Sequence, residues 1–342
     1  MPKVVINDPT LRDGNHAVRH RLNRDQIVAY ARAAEAARIP VVEVGHGNGI
    51  GASSLQVGEA LLDDRTMLEA ARTELSNSKL SVHVIPGFAT IQRDLKPAIA
   101  LGVDIFRIGS HCTEADITQR HIAYVREQGR EVYGVLMMSH MASKDILLEE
   151  AHKMISYGAE AIVLMDSAGA YLPDDVDDKV GTLVRSLHIP IGFHAHNNLG
   201  MGVANSVAAV QAGASIIDGS ARGFGAGAGN AQLEVVVAVF ERLGIETGID
   251  LYKCLDCGDL AERFLVEAVP TISSVSIVSG MAGVFSGFIK HVQRISKEYG
   301  LDPRDVFFEL GRRKVVAGQE DLIIEVAFDL AQKSGVKHAA SS

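Results

Sequence analysis

The sequence predicts an α/β protein: a (β/α)8 TIM barrel followed by a helical C-terminal region. Three observations carry this. From Lys3 to about Gly244, short β-branched runs alternate with longer helix-patterned stretches. The alternation repeats eight times in about 240 residues, the strand number and length of a closed barrel rather than of an open doubly wound sheet. From Thr247 onward strands almost vanish.

The predicted strands are Val4 to Asn7, Val41 to Val44, Ser81 to Ile85, Asp104 to Ile108, Val132 to Met137, Ala161 to Leu164, Ile191 to His194 and Ser215 to Ile217. Each is short and mostly apolar, as a parallel strand covered on both faces requires. Between them, segments such as Arg24 to Ala37 and Lys144 to Tyr157 repeat apolar residues at three- and four-residue spacing and read as outer helices. The expected division is a catalytic barrel over 1–246 and a helical, partner-docking region over 247–342. In the latter, Leu255 to Val269, Gly287 to Tyr299 and Glu320 to Lys333 read as helices. The tail Lys337 to Ser342 offers nothing apolar to hold it and is expected to fray.

With 342 residues, 47% hydrophobic and 22% charged, the chain has ordinary globular composition. Its 33 basic against 42 acidic residues, net charge -9 and lack of a basic block speak against nucleic acid as a partner. No apolar run nears the roughly 18 residues that would span a bilayer, and Met1 to Asn7 lacks the pattern of a leader. A cytoplasmic location, away from membranes, is expected. Three cysteines, Cys112, Cys254 and Cys257, are too few for a disulfide framework and read as reduced thiols.

Barrels carry their chemistry at the C-terminal ends of strands and in the loops that follow. Strand seven ends in His194-Ala195-His196, whose two-residue spacing turns both imidazoles to one face. Two neutral imidazoles make half a metal site, and also fit a hydrogen-bonded polar pair at a barrel mouth. The stretch after strand one, Asp8 to His16, packs Arg12, Asp13 and His16 within five residues. Strands one and seven are near neighbours in an eight-stranded ring, so Asp13 can complete a two-histidine, one-carboxylate set that leaves positions open for a bidentate substrate. The bland alternative for Arg12 and Asp13 is a surface ion pair.

The glycine-rich run 221–230 follows strand eight, where barrels often bind phosphate; a tight loop approaching the site is an equal reading. Cys254-x-x-Cys257 stands alone and reads better as buried helical thiols than as zinc ligands. His111 and Cys112 fall just past strand four, and Thr113 with Asp116 has the spacing of a helix cap. Asp166 and Ser167 close strand six, placed either to meet a substrate carboxylate or to form a turn.

Thr10-Leu11-Arg12-Asp13-Gly14, His194-Ala195-His196-Asn197 and Gly225 to Asn230 together resemble the DRE-TIM metallolyases, divalent-metal barrels that make or break carbon-carbon bonds beside a carbonyl. Within that group, His16 differs from the Glu-Gln of the isopropylmalate and homocitrate synthase branch. His46-Gly47-Asn48-Gly49, His111 to Asp116, Met137 to Met141, Val203 to Ser206 and Gly318 to Asp321 resemble the 4-hydroxy-2-oxovalerate aldolases. The likeness spans about residues 4–333.

The resemblance implies that Asp13, His194 and His196 bind a divalent metal, usually Mn2+, with Mg2+ or Co2+ as substitutes, and that the metal chelates a 2-oxo acid. It implies Arg12 as stabiliser of the enolate, His16 as the base for the C4 hydroxyl, and Ser167 and His194 beside the substrate. Asn230 and Asp166 would stand behind the ligands. The implied substrates are pyruvate and an aldehyde, within aromatic-compound breakdown or a biosynthetic variant. The implied partner is an acylating acetaldehyde dehydrogenase, docked on the C-terminal helices and fed through a channel, in a homo-oligomer or heterotetramer.

Two residues depart from that pattern. Phe285 stands where the family usually has tyrosine, and a phenyl ring donates no hydrogen bond. His83 sits in strand three where an aliphatic residue is expected; it points either into the aldehyde pocket, making it more polar, or outward beneath a helix. Both touch the aldehyde side. Two rival readings are a Claisen-type acyl-CoA lyase or synthase and a degenerate barrel that only binds a dehydrogenase.

Overall fold

The computed structural model describes residues 3–334. Eight parallel strands close into a barrel in chain order: β1 (Val5–Leu11), β2 (Val41–Val44), β3 (Lys79–Val84), β4 (Ile105–His111), β5 (Glu131–Met137), β6 (Ala161–Asp166), β7 (Ile191–Ala195) and β8 (Ile216–Asp218). β8 returns to β1 through the pairs Val5 with Ile216 and Asn7 with Asp218. The tail from Lys337 lies outside the described residues.

Each strand from the sequence reading is present, and the differences fall at the ends. β1 continues four residues past Asn7, through Pro9, with an irregularity in its pairing to β2 between Asp8 and Leu11. That bulge tolerates a proline in a strand and delivers Arg12 and Asp13 to the barrel mouth. Asp8 and Thr10, read as loop residues, are strand residues: the Asp8 carboxylate accepts hydrogen bonds from Thr10 and, at 2.6 Å, from the Tyr30 hydroxyl. β4 likewise runs on to include His111.

The outer helices are α1 (Arg24–Ala36), α2 (Asp64–Arg72), α3 (Lys96–Ala100), α4 (Gln119–Glu127), α5 (Lys144–Tyr157), α6 (Pro173–Ser186), α7 (Gly202–Gln211) and α8 (Leu233–Arg242). α1 starts with Asn23 and Gln26 capping each other, and α5 starts on the Ser143 hydroxyl and stops at Gly158, whose φ of 116° ends a helix without steric cost.

Beyond the barrel come α9 (Leu251–Leu260), α10 (Ser274–Ala282), α11 (Ile289–Tyr299), α12 (Pro303–Arg312) and α13 (Asp321–Ser334). α9 passes into a π-helical turn over Ala261–Leu265, where the sequence pattern suggests one helix to Val269. α10 and α12 lie outside the helices the sequence predicts: α10 is short and rich in serine and β-branched residues, and a capping box at Ser273 starts it.

Among the described residues, a small cluster of Val135, Val163 and Met165 joins β5 to β6, and two further hydrophobic cores carry the fold. The larger fills the space between barrel and outer helices and takes in Cys254, Cys257, Ala261 and Leu265; α9, which the sequence reading placed in the C-terminal region, therefore packs with the barrel against α1 and α8. The smaller begins at Val275 and joins α10 to α13 through Phe288, Phe307, Leu310 and Val326. The C-terminal helices sit over the barrel mouth, where Ser286 N–H donates to the Ser167 carbonyl and the Lys290 ammonium to the His16 carbonyl.

Candidate active site

Asp13 opens a short 3-10 turn, Asp13–His16, at the end of β1, and its side chain is buried. Its Oδ2 lies 3.8 Å from Nε2 of His194 and 4.0 Å from Nε2 of His196. One donor atom from each of the three residues falls within 4.8 Å of the others. The imidazoles of His194 and His196, with ring centroids 5.0 Å apart, face this carboxylate together.

The donor set fits a divalent cation. Nε2 of His194 is buried with no hydrogen-bond partner, while Nδ1 of the same ring is held at 2.8 Å by Asp218, which fixes the other nitrogen as the free donor. Burial pushes His196 down to about 3, so it offers a neutral ring. Burial alone would protonate Asp13, but the Arg12 guanidinium and the surrounding imidazoles hold it well below the ordinary carboxylate range. One oxygen and two imidazole nitrogens suit a first-row divalent metal.

Arg12 is buried too, which removes the surface-pair reading. Nη1 lies 3.2 Å from Asp13 Oδ1 and donates to the Gly47 carbonyl at 3.1 Å, while Nε donates to Glu43. His16 places Nε2 3.8 Å from Asp13 Oδ1, and burial lowers its pKa from the usual histidine value, leaving a neutral ring. It packs edge-on against His20, which stacks face to face on His46 at 3.7 Å. His46 donates from Nε2 to the Gly58 carbonyl, and Gly47 N–H donates to Nδ1 of His20.

The glycine-rich run serves the site as a tight loop. Asn230 at its end donates from Nδ2 to Asp13 Oδ2 at 2.6 Å and to the Phe224 carbonyl at 3.0 Å. Gly223 and Gly229 both have positive φ and fold so closely that a side chain on Gly229 would collide with the Gly223 carbonyl.

Ser167 faces the cavity, and its Oγ accepts the Met138 N–H at 3.0 Å. Asp166 instead closes a turn: its carboxylate accepts the N–H groups of Ala170 and Tyr171, and burial raises it to about 6. Thr113 does not cap a helix. Its hydroxyl pairs with Nδ1 of His111, and Glu150 from α5 takes the Ala115 N–H that such a cap would serve. All three cysteines are buried and unpaired.

The cavity reaches from Arg12, Asp13 and His196 to a wall made by His83, Ile85, Met137 and Phe285. His83 points inward. It is 1% exposed, Nδ1 has no hydrogen-bond partner, and burial, reinforced by Arg12, pushes it down to about 3. Its ring passes over Gly109, where a side chain would come within 2.9 Å of Cε1. Phe285 comes from the segment between α10 and α11 and packs edge-on against Phe288 at 5.6 Å. Val316 to Gly318, before α13, complete the opening.

Sequence reasoning missed Glu43, Arg107 and Asp218, which are buried beneath this site and bonded to one another. The available signal was a single charge inside each of three apolar strands, Val41-Val42-Glu43-Val44, Ile105-Phe106-Arg107-Ile108 and Ile216-Ile217-Asp218.

A closed parallel barrel with a carboxylate and two imidazoles converging at its C-terminal mouth defines the class of barrel enzymes built to hold a divalent metal. Residues 3–261 match the HMGL-like family model, and residues 270–332 match the DmpG-like communication domain. A 4-hydroxy-2-oxovalerate aldolase of Pectobacterium atrosepticum is 65% identical over 97% of this chain and 97% of its own length. One of Streptomyces tendae is 58% identical over 99% of this chain and 95% of its own. The chain belongs to the 4-hydroxy-2-oxovalerate aldolase family, carbon-carbon lyases that depend on a divalent metal. Among solved structures, the carboxyl transferase domain of Rhizobium etli pyruvate carboxylase shares the fold, with a TM-score of 0.82 at 15% identity, over 97% of this chain and 61% of that one.

Proposed function

We propose that this chain cleaves and forms 4-hydroxy-2-oxo acids by a class II aldol reaction with pyruvate as one product, Asp13, His194 and His196 holding Mn2+ and Arg12 and His16 acting on the substrate. The observation that carries the reading is the clustering of these five side chains: Arg12, Asp13, His16 and His196 line one cavity, and His194, buried beside them, brings Nε2 to 3.8 Å from Asp13.

The metal, when bound, would supply a Lewis acid for the keto and carboxylate oxygens of the oxo acid. The protein does the rest. His16, neutral in its buried position, takes the C4 hydroxyl proton. The C3–C4 bond then breaks, C4 leaves as the aldehyde, and its electron pair stays on C3 as the enolate of pyruvate. Arg12, fixed by Glu43 and Gly47, places a permanent cation beside the enolate oxygen. A proton delivered to C3 completes pyruvate. Ser167 takes part in holding the substrate carboxylate, and Asn230 keeps Asp13 aimed.

The aldehyde product is acetaldehyde, from 4-hydroxy-2-oxovalerate, or a larger aldehyde in a biosynthetic variant; His83 and Phe285 line the same cavity, where they would act on that choice. Complete ligands argue against a barrel kept only for docking, and His16 against Claisen chemistry on an acyl-CoA. The match of residues 270–332 to a communication domain supports docking of an acylating aldehyde dehydrogenase on the C-terminal helices. That surface exposes Phe308 and Ile324. A second cavity sharing His16 and Phe285 and leading past Leu55 to Lys290 and His291 is the route we assign to the aldehyde. We place the protein in the cytoplasm; no helix among the described residues is long and apolar enough to cross a membrane.

The test is proton NMR of pyruvate in deuterated buffer, with enzyme and Mn2+, each sample quenched before recording. Loss of the methyl signal, abolished when chelator is present from the start, is expected. No exchange by protein shown to hold metal would refute the enolate assignment.

A further inference from the structure

Arg107, on β4, is 1% exposed and lies inside the barrel beneath the mouth. Its two terminal nitrogens go to different carboxylates: Nη1 donates to Glu43 Oε2 at 2.8 Å and Nη2 to Asp218 Oδ2 at 2.6 Å. Each carboxylate has a second partner that faces the substrate side. Glu43 Oε1 receives Nε of Arg12, and Asp218 Oδ2 receives the Nδ1 proton of His194. The order Arg12, Glu43, Arg107, Asp218 alternates in sign and ends on an imidazole, so no charge in it is left unpaired.

The three buried charges come from β2, β4 and β8, alternate strands of the ring, whose inward side chains share a layer that barrels ordinarily fill with Val, Ile or Leu. Burying ions there is poor value for stability, because desolvation offsets most of their attraction and apolar residues of similar volume would pack as well or better. A planar guanidinium, however, reaches two carboxylates in a fixed geometry that an ammonium cannot copy.

We propose that Arg107 is a positioning residue that fixes the two halves of the active centre against each other: through Glu43 it sets the direction of Arg12, and through Asp218 it holds His194 in the tautomer and orientation that present Nε2 to the metal. The inference rests on the assignment of Asp13, His194 and His196 as metal ligands.

The test compares wild type with Arg107→Lys, using electron paramagnetic resonance of free Mn2+ for affinity and pyruvate methyl exchange at saturating Mn2+ for turnover. The lysine keeps the buried charge but contacts only one carboxylate. Expected are Mn2+ binding weaker by about tenfold or more, the usual cost of losing a group behind a metal ligand, and a fall in saturated turnover with KM for pyruvate little changed. A folded Arg107→Lys protein with wild-type affinity and turnover would overturn the proposal, even if its melting temperature had dropped. Should that variant not accumulate, Asp218→Asn carries the test, since it leaves Arg107 and Glu43 paired; unchanged Mn2+ affinity there overturns the His194 arm. Wild-type protein that binds Mn2+ but exchanges no pyruvate refutes the proposed reaction and leaves the affinity comparison valid. Wild-type protein that binds no Mn2+ overturns the ligand assignment and this proposal together.

Discussion

His16 and Gly47 fit ring against bare backbone: a Cβ on residue 47 would lie 2.5 Å from Nε2 of His16. The nitrogen so crowded is the one 3.8 Å from Asp13, on the ring proposed to take the C4 hydroxyl proton. Gly47→Ala must therefore rotate His16 away, while the strands and helices keep their packing. The expected outcome is a fall in kcat of about tenfold or more, with circular dichroism and Mn2+ binding close to wild type, because a misplaced general base costs roughly that much or more. Steady-state kinetics on a 4-hydroxy-2-oxo acid decide it, and unchanged kcat would remove His16 from the role.

The aldehyde wall makes a second prediction. His83 and Phe285, at the two positions where the resemblance leads one to expect an aliphatic residue and a tyrosine, both line the cavity. Phe285→Tyr restores a hydroxyl near His16, and His83→Leu restores an apolar wall. Each change is expected to shift the ratio of kcat/KM between short-chain and aromatic 4-hydroxy-2-oxo acids toward the short chain, by about fivefold, corresponding to roughly 1 kcal/mol for one hydrogen bond or one small apolar contact. A wild-type preference for the acetaldehyde-yielding substrate that neither substitution moves would refute an altered pocket.

Metal removal should be visible without any substrate. A cation that binds the folded but not the unfolded chain stabilises it by about 2.7 kcal/mol at a hundred times its dissociation constant. Chelation is thus expected to lower the melting temperature by several degrees, and His194→Ala to lose that metal-dependent shift entirely. A Mn2+-induced shift that persists in His194→Ala would place the cation elsewhere.

The barrel and the candidate metal cluster were legible because they rest on local signals: eight apolar runs at regular spacing, and histidines two apart at a strand end. What escaped depends on contacts far apart in sequence. Arg107 meets Glu43 across 64 positions and Asp218 across 111, so three isolated charges in apolar strands gave no local hint that they pair. Asp166 belonged to its turn because Ala170 and Tyr171 present N–H groups to it, an arrangement the Asp-Ser pattern leaves open. Phe285 lies more than 260 residues from His16 in the chain, and only the family pattern pointed to their proximity. α10 stayed hidden because it is nine residues long and mixes serine, glycine and β-branched residues, poor helix formers that mask the spacing of Val275, Val278 and Ala282.

His140 ties the barrel to the C-terminal helices, and its titration should register in stability. Its Nε2 donates to the Gly283 carbonyl at 2.9 Å, and burial pushes it down to about 4 from an unfolded value near 6.5. A depressed folded-state pKa makes the neutral ring the stable form. The contribution is complete above about pH 6.5 and is lost as pH falls toward 4, by up to about 3 kcal/mol. Asp166 lies 3.9 Å from Nδ1 and is raised to about 6, which works in the opposite direction, and Lys179 and His111 add positive charge nearby. Those groups are present in wild type and in His140→Gln alike, so the difference between the two proteins isolates the histidine. Denaturant unfolding from pH 7.5 to 4.5 is expected to show wild type ahead at the upper end, with the advantage shrinking steadily below pH 6.5. A difference independent of pH would mean that His140 titrates at its ordinary value in the folded protein.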